Sequence, residues 1–405
     1  MNILRLSKGQ AKISLLLLAY ISFIALGMRD GLLGVAWPSI RTNFSKPLDS
    51  IGILLIAAVA GYMTSSFLIG ALIRKVGIGN LLVFSCVLAS TTLVGFSFAP
   101  YWWMLVVLST IGGFGAGGID AGLNTYLASH YGEGAMQWLH ASYGVGVTLG
   151  PIIMTFGLTA LHAWQPGYQT VGGFQLILLV CLVLTLSLWN GQSSSKEGEQ
   201  PKTLTDYKTP MAETLRQPRA WLSAMLFFLY VGAEMAIGTW TYSLLVESRG
   251  VNPSMAGLWT SSYWATFTIG RVLAGLYARK LGINRLVRGG LIGALVGAAL
   301  LVWNPSTIAN LVAVALIGFA IAPIFPALMS DTSRRVGERF AANTIGFQMA
   351  ATGLGTAVIP GVLGVLARQF SLEVIPICLV GVFIGLLGFY LISTKPTQIH
   401  QEKLI

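Results

Sequence analysis

Charged residues are the scarcest class of side chain in this chain. Asp, Glu, Lys and Arg make up only 10% of its 405 residues, whereas soluble domains carry about 25%, and the mean hydropathy is +0.73. So few charges exclude a soluble protein, because water solvates such a surface poorly. The apolar stretches run unbroken for about 20 residues instead of alternating over about ten, which favours membrane-spanning helices over a β-barrel.

Cysteine and the residues of common catalytic sites are also rare. Cys86, Cys181 and Cys378 lie far apart, each inside an apolar run, and there are only four histidines. No CxxC pair or Cys/His cluster is present, which argues against a zinc site and a disulfide framework. The sequence also lacks a phosphate loop, an HExxH motif and an evident nucleophile triad. We therefore predict no cofactor, no metal and no enzymatic activity.

One long hydrophilic run, at residues 190–219, interrupts the apolar sequence. Six apolar runs precede it and six follow, each long enough to cross about 30 Å of hydrocarbon. We predict an all-α integral membrane fold of twelve transmembrane helices in two six-helix bundles, residues 1–190 and 220–405, joined by a cytoplasmic linker at residues 191–219. The runs lie approximately at 13–37, 51–73, 80–99, 102–128, 137–161, 170–190, 220–246, 255–277, 285–303, 307–329, 341–367 and 372–393.

Positive charge is concentrated on one side of these runs. Of the 25 Lys and Arg residues, nineteen lie at the run ends that include the linker and both termini, and four lie at the opposite ends. By the positive-inside rule the linker and both termini are cytoplasmic. The net charge of +11 therefore reports topology, and the expected partner is the lipid bilayer rather than nucleic acid. We expect a multi-pass monomer in the cell membrane, specifically a bacterial inner membrane.

The two halves of the sequence resemble each other. The segment GALIRKVGI at residues 70–78, after the second run, matches GLYARKLGI at residues 275–283, after the eighth. In the first run of each half an acid precedes a glycine by four residues, as Asp30 precedes Gly34 and Glu234 precedes Gly238. Two homologous bundles form the parallel repeat of rocker-type transporters, whose substrate site lies between the halves near the midplane.

Together these features resemble the major facilitator superfamily. The stretches LGMRDGLLGVAWPSI, GGIDAGLNTYLA and LYVGAEMAIGTWTYSLL are similar to its fucose permease-like branch, largely sugar–proton symporters. The resemblance implies a transporter with basic gating residues at the repeated loops and in the eighth span. These residues are Arg74, Lys75, Arg271, Arg279 and Lys280. The acid that this loop motif normally carries is replaced here by Ile73 and Ala278.

Three acids fall within predicted spans, where a charge costs about 2.5–3.5 kcal/mol at the membrane centre. Because such an acid can lose its charge by taking up a proton, Glu234, Asp120 and Asp30 are predicted to couple transport to protons. Glu234 is the first candidate, since its own span holds no basic residue near it. Asp120 is the second, and it shares a helix face with Asn124. Counting from the following turn places His140 at the level of Asn124.

Polar and aromatic side chains within the spans are the candidates for solute binding. Indole rings suit sugar rings, although tryptophans also line membrane interfaces, and a buried Arg can brace a bundle instead of binding solute. The predicted solute-binding residues are Arg29, Asn124, His140, Trp37, Trp240, Trp264 and Gln348.

The favoured function is proton symport of a small polar solute, a sugar or sugar-like compound, by alternating access. The alternative is a proton-coupled efflux antiporter for drugs or metabolites, because Gly146, Gly150 and Pro151 partly match the antiporter motif of this superfamily. A membrane enzyme or sensor on the same scaffold is disfavoured, since no catalytic motif and no soluble signalling domain is evident.

Overall fold

Helices form all the regular structure that the computed structural model describes, in residues 8–131, 133–190 and 209–394. We call residues 8–190 the N half and residues 209–394 the C half. The N half contains α1 (Lys8–Asn43), α2 (Ile51–Val76), α3 (Ile78–Phe98), α4 (Trp102–His130), α5 (Glu133–Ala160), α6 (Gln165–Leu184) and α7 (Leu186–Asn190). The C half contains α8 (Met211–Leu215), α9 (Pro218–Ser243), α10 (Pro253–Leu281), α11 (Ile283–Trp303), α12 (Thr307–Ile321), α13 (Ile324–Ser330), α14 (Thr332–Val336), α15 (Glu338–Gln369) and α16 (Val374–Ser393). The all-α membrane fold predicted from the sequence is confirmed.

One of the twelve predicted spans differs from the others. Among the described residues, eleven helices are both long and apolar enough to cross a membrane. The eighth predicted span, α10, is 29 residues long but is more polar, with Ser261, Ser262, Thr266 and Arg271 along it. It packs between α5 and α12, so neighbouring helices accommodate polar side chains that lipid would penalise.

Glycines let the first long helix of each half approach its partner closely. In the N half α1 packs along α5, where a Cβ on Gly146 would collide with the carbonyl oxygen of Ile24. In the C half α9 packs along α15, where a Cβ on Gly355 would collide with the carbonyl oxygen of Phe228. Small residues permit such close helix packing in membranes. Equivalent helices of the two halves thus share the same contact, as the sequence repeat predicts.

The halves meet at the face of the protein opposite the linker. Arg41, near the end of α1, donates hydrogen bonds of 2.8 and 2.9 Å to the two carboxylate oxygens of Glu247 in the C half. Arg368, near the end of α15, lies 3.2 Å from Asp49 of the N half. Deeper in the protein, Gly34 of α1 lies directly against the backbone of α9. We call this end the closed face.

The antiparallel helices α5 and α10 show how far the closure extends. Gly257 of α10 meets α5 near the closed face, and Gly144 of α5 meets Thr268 of α10 near the middle. Two turns further along α10, a Cβ built on Gly275 has no described atom within 4 Å, and the same holds for Gly346 on the linker side of α15. Among the described residues, the contacts between the halves therefore lie from the middle of the protein to the closed face.

The last described part of the predicted linker packs on the C half. The Thr209 hydroxyl donates to the carbonyl oxygen of Arg339 at 2.6 Å, and Asn343 Nδ2 donates to the carbonyl of Thr209 and the hydroxyl of Thr214, both at 3.0 Å. Glu213 of α8 forms an ion pair with Arg339. Residues 209–217 therefore associate with α15, and residues 191–208 of the predicted linker lie outside the described residues.

A buried arginine organises the closed face of the C half. The side chain of Arg249 is only 3% exposed. It donates to both carboxylate oxygens of Glu373, at 3.0 and 2.6 Å, to the carbonyl of Leu301 at 2.8 Å, and to the side chain of Asn310. These bonds hold the pKa of the Glu373 carboxyl, just before α16, below its usual value.

Acid is expected to weaken this contact. Because the folded pKa of Glu373 is depressed, its contribution is fully present above the unfolded pKa of about 4.3 and is lost as pH falls through the folded value. The contribution is about 1 kcal/mol at most, since the carboxyl is 42% exposed. Glu373→Gln should lower the melting temperature near neutral pH, and the gap from wild type should narrow below about pH 4. Melting temperatures of detergent-solubilised protein measure this difference. If it stays constant from neutral pH to below about pH 4, the depressed pKa of Glu373 is contradicted.

Candidate functional site

Asp30 lies halfway along α1 with 34% of its side chain exposed. Its Oδ2 accepts a 3.0 Å hydrogen bond from the hydroxyl of Tyr143 on α5, and Arg29 Nη1 lies 4.0 Å from its Oδ1. Tyr143 is in turn within electrostatic range of Glu234 in the C half. This face of α1 is therefore directed toward the space between the halves.

Asp120 on α4 is held by neutral donors. Tyr62 of α2 donates its hydroxyl to Asp120 Oδ2, and Asn124, one turn along α4, donates Nδ2 to Oδ1 at 2.9 Å. Asp120 also lies within electrostatic range of Asp30. No ion pair between described residues includes Asp120, so its charge has no directly paired cation.

Glu234 has a basic neighbour that its own span does not reveal. Arg271 of α10 places Nη2 at 4.0 Å from Glu234 Oε2, and the guanidinium carbon lies 4.3 Å from the ring centroid of Phe267. The Tyr263 hydroxyl donates to the backbone carbonyl of Glu234 at 2.8 Å. Buried Oε2 of Glu234 and Nε of Arg271 have no hydrogen-bond partner among the described residues. Polar atoms buried in this way indicate unfilled capacity for water or solute.

One helix of the N half lies between these groups. Tyr143 of α5 contacts Asp30, while His140, one turn earlier, is exposed and lies within electrostatic range of Arg271 in the C half. The ring of His140 packs edge-on against Phe23 at 5.8 Å between centroids. Asp120 and Asn124 are thus joined on α4, whereas His140, placed by the sequence at the level of Asn124, packs on α1 and interacts with Arg271 of α10.

The three tryptophans predicted to bind solute are buried in this conformation. Trp37 and Trp240 are 0% exposed and Trp264 is 3% exposed. The indole N–H of Trp37 donates to the carbonyl of Leu48, and that of Trp240 to the carbonyl of Pro360, both at 3.0 Å. Trp37 and Trp240 fill contacts between helices near the closed face, and Trp264 packs on Gly238 deeper in the protein, so these rings present no free surface to a solute here.

Gln348 is likewise engaged inside the C half. It is 0% exposed, and its Nε2 donates to the hydroxyls of Ser223 at 2.6 Å and Thr332 at 2.9 Å. A buried amide is stable because such partners satisfy it. Its donors therefore join α9, α14 and α15 rather than face the space between the halves.

The predicted gating residues divide into two groups. Arg74, Lys75, Arg279 and Lys280 lie at the linker-side ends of α2 and α10, and the side chain of Arg279 lies outside the described part. Gly77 and Gly282, which end these helices, have φ of 79° and 74°, a region that favours glycine. The motif that is repeated in the two halves thus forms the equivalent ends of α2 and α10. Arg271 instead lies beside Glu234, within the central group.

The residues that sequence analysis missed are mainly tyrosines. Tyr62, Tyr143 and Tyr263 supply hydroxyls to Asp120, Asp30 and the backbone of Glu234. Each stands on a different helix from its acid, so helical spacing within one run gave no signal. Tyr143 lies three residues after His140, and this i, i+3 spacing on a predicted span was the available hint.

Comparison with known proteins agrees with this architecture. The model of the Major Facilitator Superfamily matches residues 19–360 and 247–404. The chain is 23% identical over 427 residues to the sodium-dependent glucose transporter 1A of Mus musculus, covering 95% of this chain and 98% of the relative. It is 21% identical over 355 residues to the glucose/mannose transporter GlcP of Bacillus subtilis, covering 86% of each.

The fold is also similar to solved structures. A mutant form of the nucleoside transporter NupG superposes with a TM-score of 0.77 at 14% identity, covering 94% of this chain and all of that one. A family match over most of the chain, together with two repeated bundles of long apolar helices, establishes its class. The chain belongs to the Major Facilitator Superfamily and is a membrane transporter rather than an enzyme.

Proposed function

We propose that this protein is a secondary active transporter that takes up a small neutral, sugar-like solute together with a proton. The solute site lies between the halves, among Asp30, Arg29, Arg271 and Glu234. The observation that carries the proposal is a group of three carboxylates and two guanidiniums well inside the long helices α1, α4, α9 and α10, namely Asp30, Asp120, Glu234, Arg29 and Arg271. In this arrangement the protein works in the cell membrane as a monomer, with the linker and both termini in the cytoplasm.

The contacts on either side of this group support an alternating-access mechanism. The ion pairs of Arg41 with Glu247 and of Arg368 with Asp49 close one face, and toward the linker Gly275 and Gly346 meet no described atom within 4 Å. With the linker in the cytoplasm, we infer that this conformation is open to the inside. Rocking of the halves then exposes the same site to the other side.

The balance of charges supports coupling to one cation. Arg29 lies beside Asp30 and Arg271 beside Glu234, both at 4.0 Å, whereas Asp120 has only the neutral donors Tyr62 and Asn124. A nearby cation favours the charged form of an acid, and burial disfavours that form. Asp120 is thus the better proton carrier, and Glu234, the first candidate from sequence, becomes the partner of Arg271.

The chemistry of the site supports a polyhydroxylated solute. Carboxylate and guanidinium groups on both halves offer paired acceptors and donors, and the orphaned atoms of Glu234 and Arg271 are free to bind solute hydroxyls. The names of the relatives, a glucose transporter and a glucose/mannose transporter, agree with this class. A proton-coupled efflux antiporter stays the alternative, and the glycines of its partial motif, Gly146 and Gly150, pack against α1.

Transport in proteoliposomes tests the proposal. We expect labelled D-glucose or D-mannose to accumulate when an inward pH gradient is imposed without sodium, and only to equilibrate without a gradient. Accumulation that requires a sodium gradient overturns proton coupling, and the sodium-dependent relatives make this the sharpest control. Extrusion of solute in response to an inward pH gradient indicates an antiporter instead.

A further inference from the structure

Tyr143 lies where α1, α5 and the C half come together. Its hydroxyl donates to Asp30 at 3.0 Å, and it is within electrostatic range of Asp120 and Glu234. Its backbone is fixed against α1, because a Cβ on Gly27 would collide with the Tyr143 carbonyl oxygen. The hydroxyl is therefore held in place next to Asp30 by helix packing.

We propose that Tyr143 is a positioning residue that keeps Asp30 charged, so that the single exchangeable proton resides on Asp120. The inference rests on the proton-coupled function proposed above. It assigns a separate role to each acid of the N half: Asp30 serves as a fixed charge, and Asp120 as the group that titrates.

Tyr143 is the direct hydrogen-bond donor in the surroundings of the Asp30 carboxylate. The ionisable groups that interact electrostatically with Asp30 are Arg29 on α1, Tyr62 on α2, Asp120 on α4 and Tyr143 on α5. Tyr168 on α6 interacts in turn with Arg29, and Glu234 on α9 with Tyr143. Arg29 is 4.0 Å from the carboxylate, beyond hydrogen-bond distance. Among the described residues, Tyr143 therefore makes the one direct side-chain hydrogen bond to the Asp30 carboxylate.

Asp30 and Asp120 compete for a proton because their charges interact. Neighbouring carboxylates titrate as a coupled pair, and a proton on one lowers the affinity of the other for a second. Donation from Tyr143 favours the charged form of Asp30 and leaves the proton to Asp120. Without that donor, Asp30 takes up the proton in a fraction of the molecules. In those molecules Asp120 stays charged, although it is the acid that should carry the proton.

The variant Tyr143→Phe tests this role, since it removes the hydroxyl and keeps the ring. We would measure D-glucose binding to the purified full-length protein as a function of pH. Loss of a hydrogen bond to a charged group changes an equilibrium about tenfold or more. We expect the alkaline midpoint of binding to move down by about one pH unit, while affinity on the acidic plateau stays within about threefold of wild type. Tyr242→Phe, which removes a buried hydroxyl near the closed face, is the matched control and should leave the midpoint unchanged.

Each outcome decides the proposal. A midpoint equal to that of wild type shows that Tyr143 only packs, and a plateau affinity reduced more than about tenfold shows that it binds solute directly; either overturns the inference. If the variant does not fold, wild-type protein gives the answer through the slope of binding against pH. One proton per solute supports the inference, and two protons overturn it, because Asp30 would already titrate. Wild-type binding without pH dependence counts against the proposed function itself, which separates the two failures.

Discussion

Asp120→Asn is expected to abolish accumulation driven by a pH gradient while leaving exchange of solute at equal pH within about tenfold of wild type. Asparagine resembles a protonated aspartate in shape and charge. Its amide oxygen can accept from Asn124, and its NH2 group can donate to the Tyr62 hydroxyl, which reverses that bond. The variant cannot take up or release a proton at this position. Solute therefore still crosses the membrane, but the pH gradient does not drive its accumulation. With an imposed gradient of one pH unit, the accumulation ratio should fall from about ten toward one.

Glu234→Gln is the informative comparison for this experiment. It removes the partner of Arg271, 4.0 Å away, and leaves a guanidinium in the membrane without its compensating charge, a loss that is strongly destabilising in buried pairs. We expect accumulation and exchange to fall together in this variant. If Glu234→Gln instead loses accumulation alone and Asp120→Asn still accumulates solute, the two acids exchange roles and the assignment of the proton to Asp120 is wrong.

Gly34→Ala is expected to reduce transport by tenfold or more without unfolding the protein. A Cβ at this position would lie 2.6 Å from the carbonyl oxygen of Gly238 and 3.0 Å from the Cα of Thr239, both in the backbone of α9. The collision is between the halves, so each half can still fold, but the closed face cannot form as described. Uptake rate in proteoliposomes and melting temperature together measure the two effects.

A matched glycine in the same half provides the control. Gly173 of α6 is also helical, and a Cβ built there has no described atom within 4 Å. Gly173→Ala should therefore transport at the wild-type rate. Normal transport by Gly34→Ala would show that closure at this face does not require the contact between α1 and α9.

Features that depend on one run of sequence were predictable. The spans, the two repeated halves and the pairing of Asp120 with Asn124 follow from hydropathy, internal similarity and i, i+4 spacing. The equivalent turns at Gly77 and Gly282 also follow, because the repeated motif keeps a glycine where φ is positive. These properties depend on residues that are close together in the sequence, and patterns in one sequence reveal such properties well.

Features that depend on contacts between runs were not predictable. Arg271 approaches Glu234 from the next long helix, and Tyr143 reaches Asp30 across 113 positions of sequence. Burial of Trp37 and Trp240 has the same origin, since hydropathy shows that an indole is in a span but not what it faces. Likewise, composition marked residues 209–217 as linker, although specific hydrogen bonds attach part of this segment to α15.

The unequal numbers of acids and arginines at mid-depth have an electrical consequence. With Asp30, Asp120 and Glu234 ionised against Arg29 and Arg271, the empty site carries one net negative charge, and a proton on Asp120 makes it neutral. A membrane potential acts on a moving charge with about 2.3 kcal/mol per 100 mV. Under the proposed mechanism, voltage therefore acts on the return of the empty transporter and leaves the loaded step unaffected. Uptake of a neutral sugar is then electrogenic, and an inside-negative potential speeds the return of the empty site to the outer side.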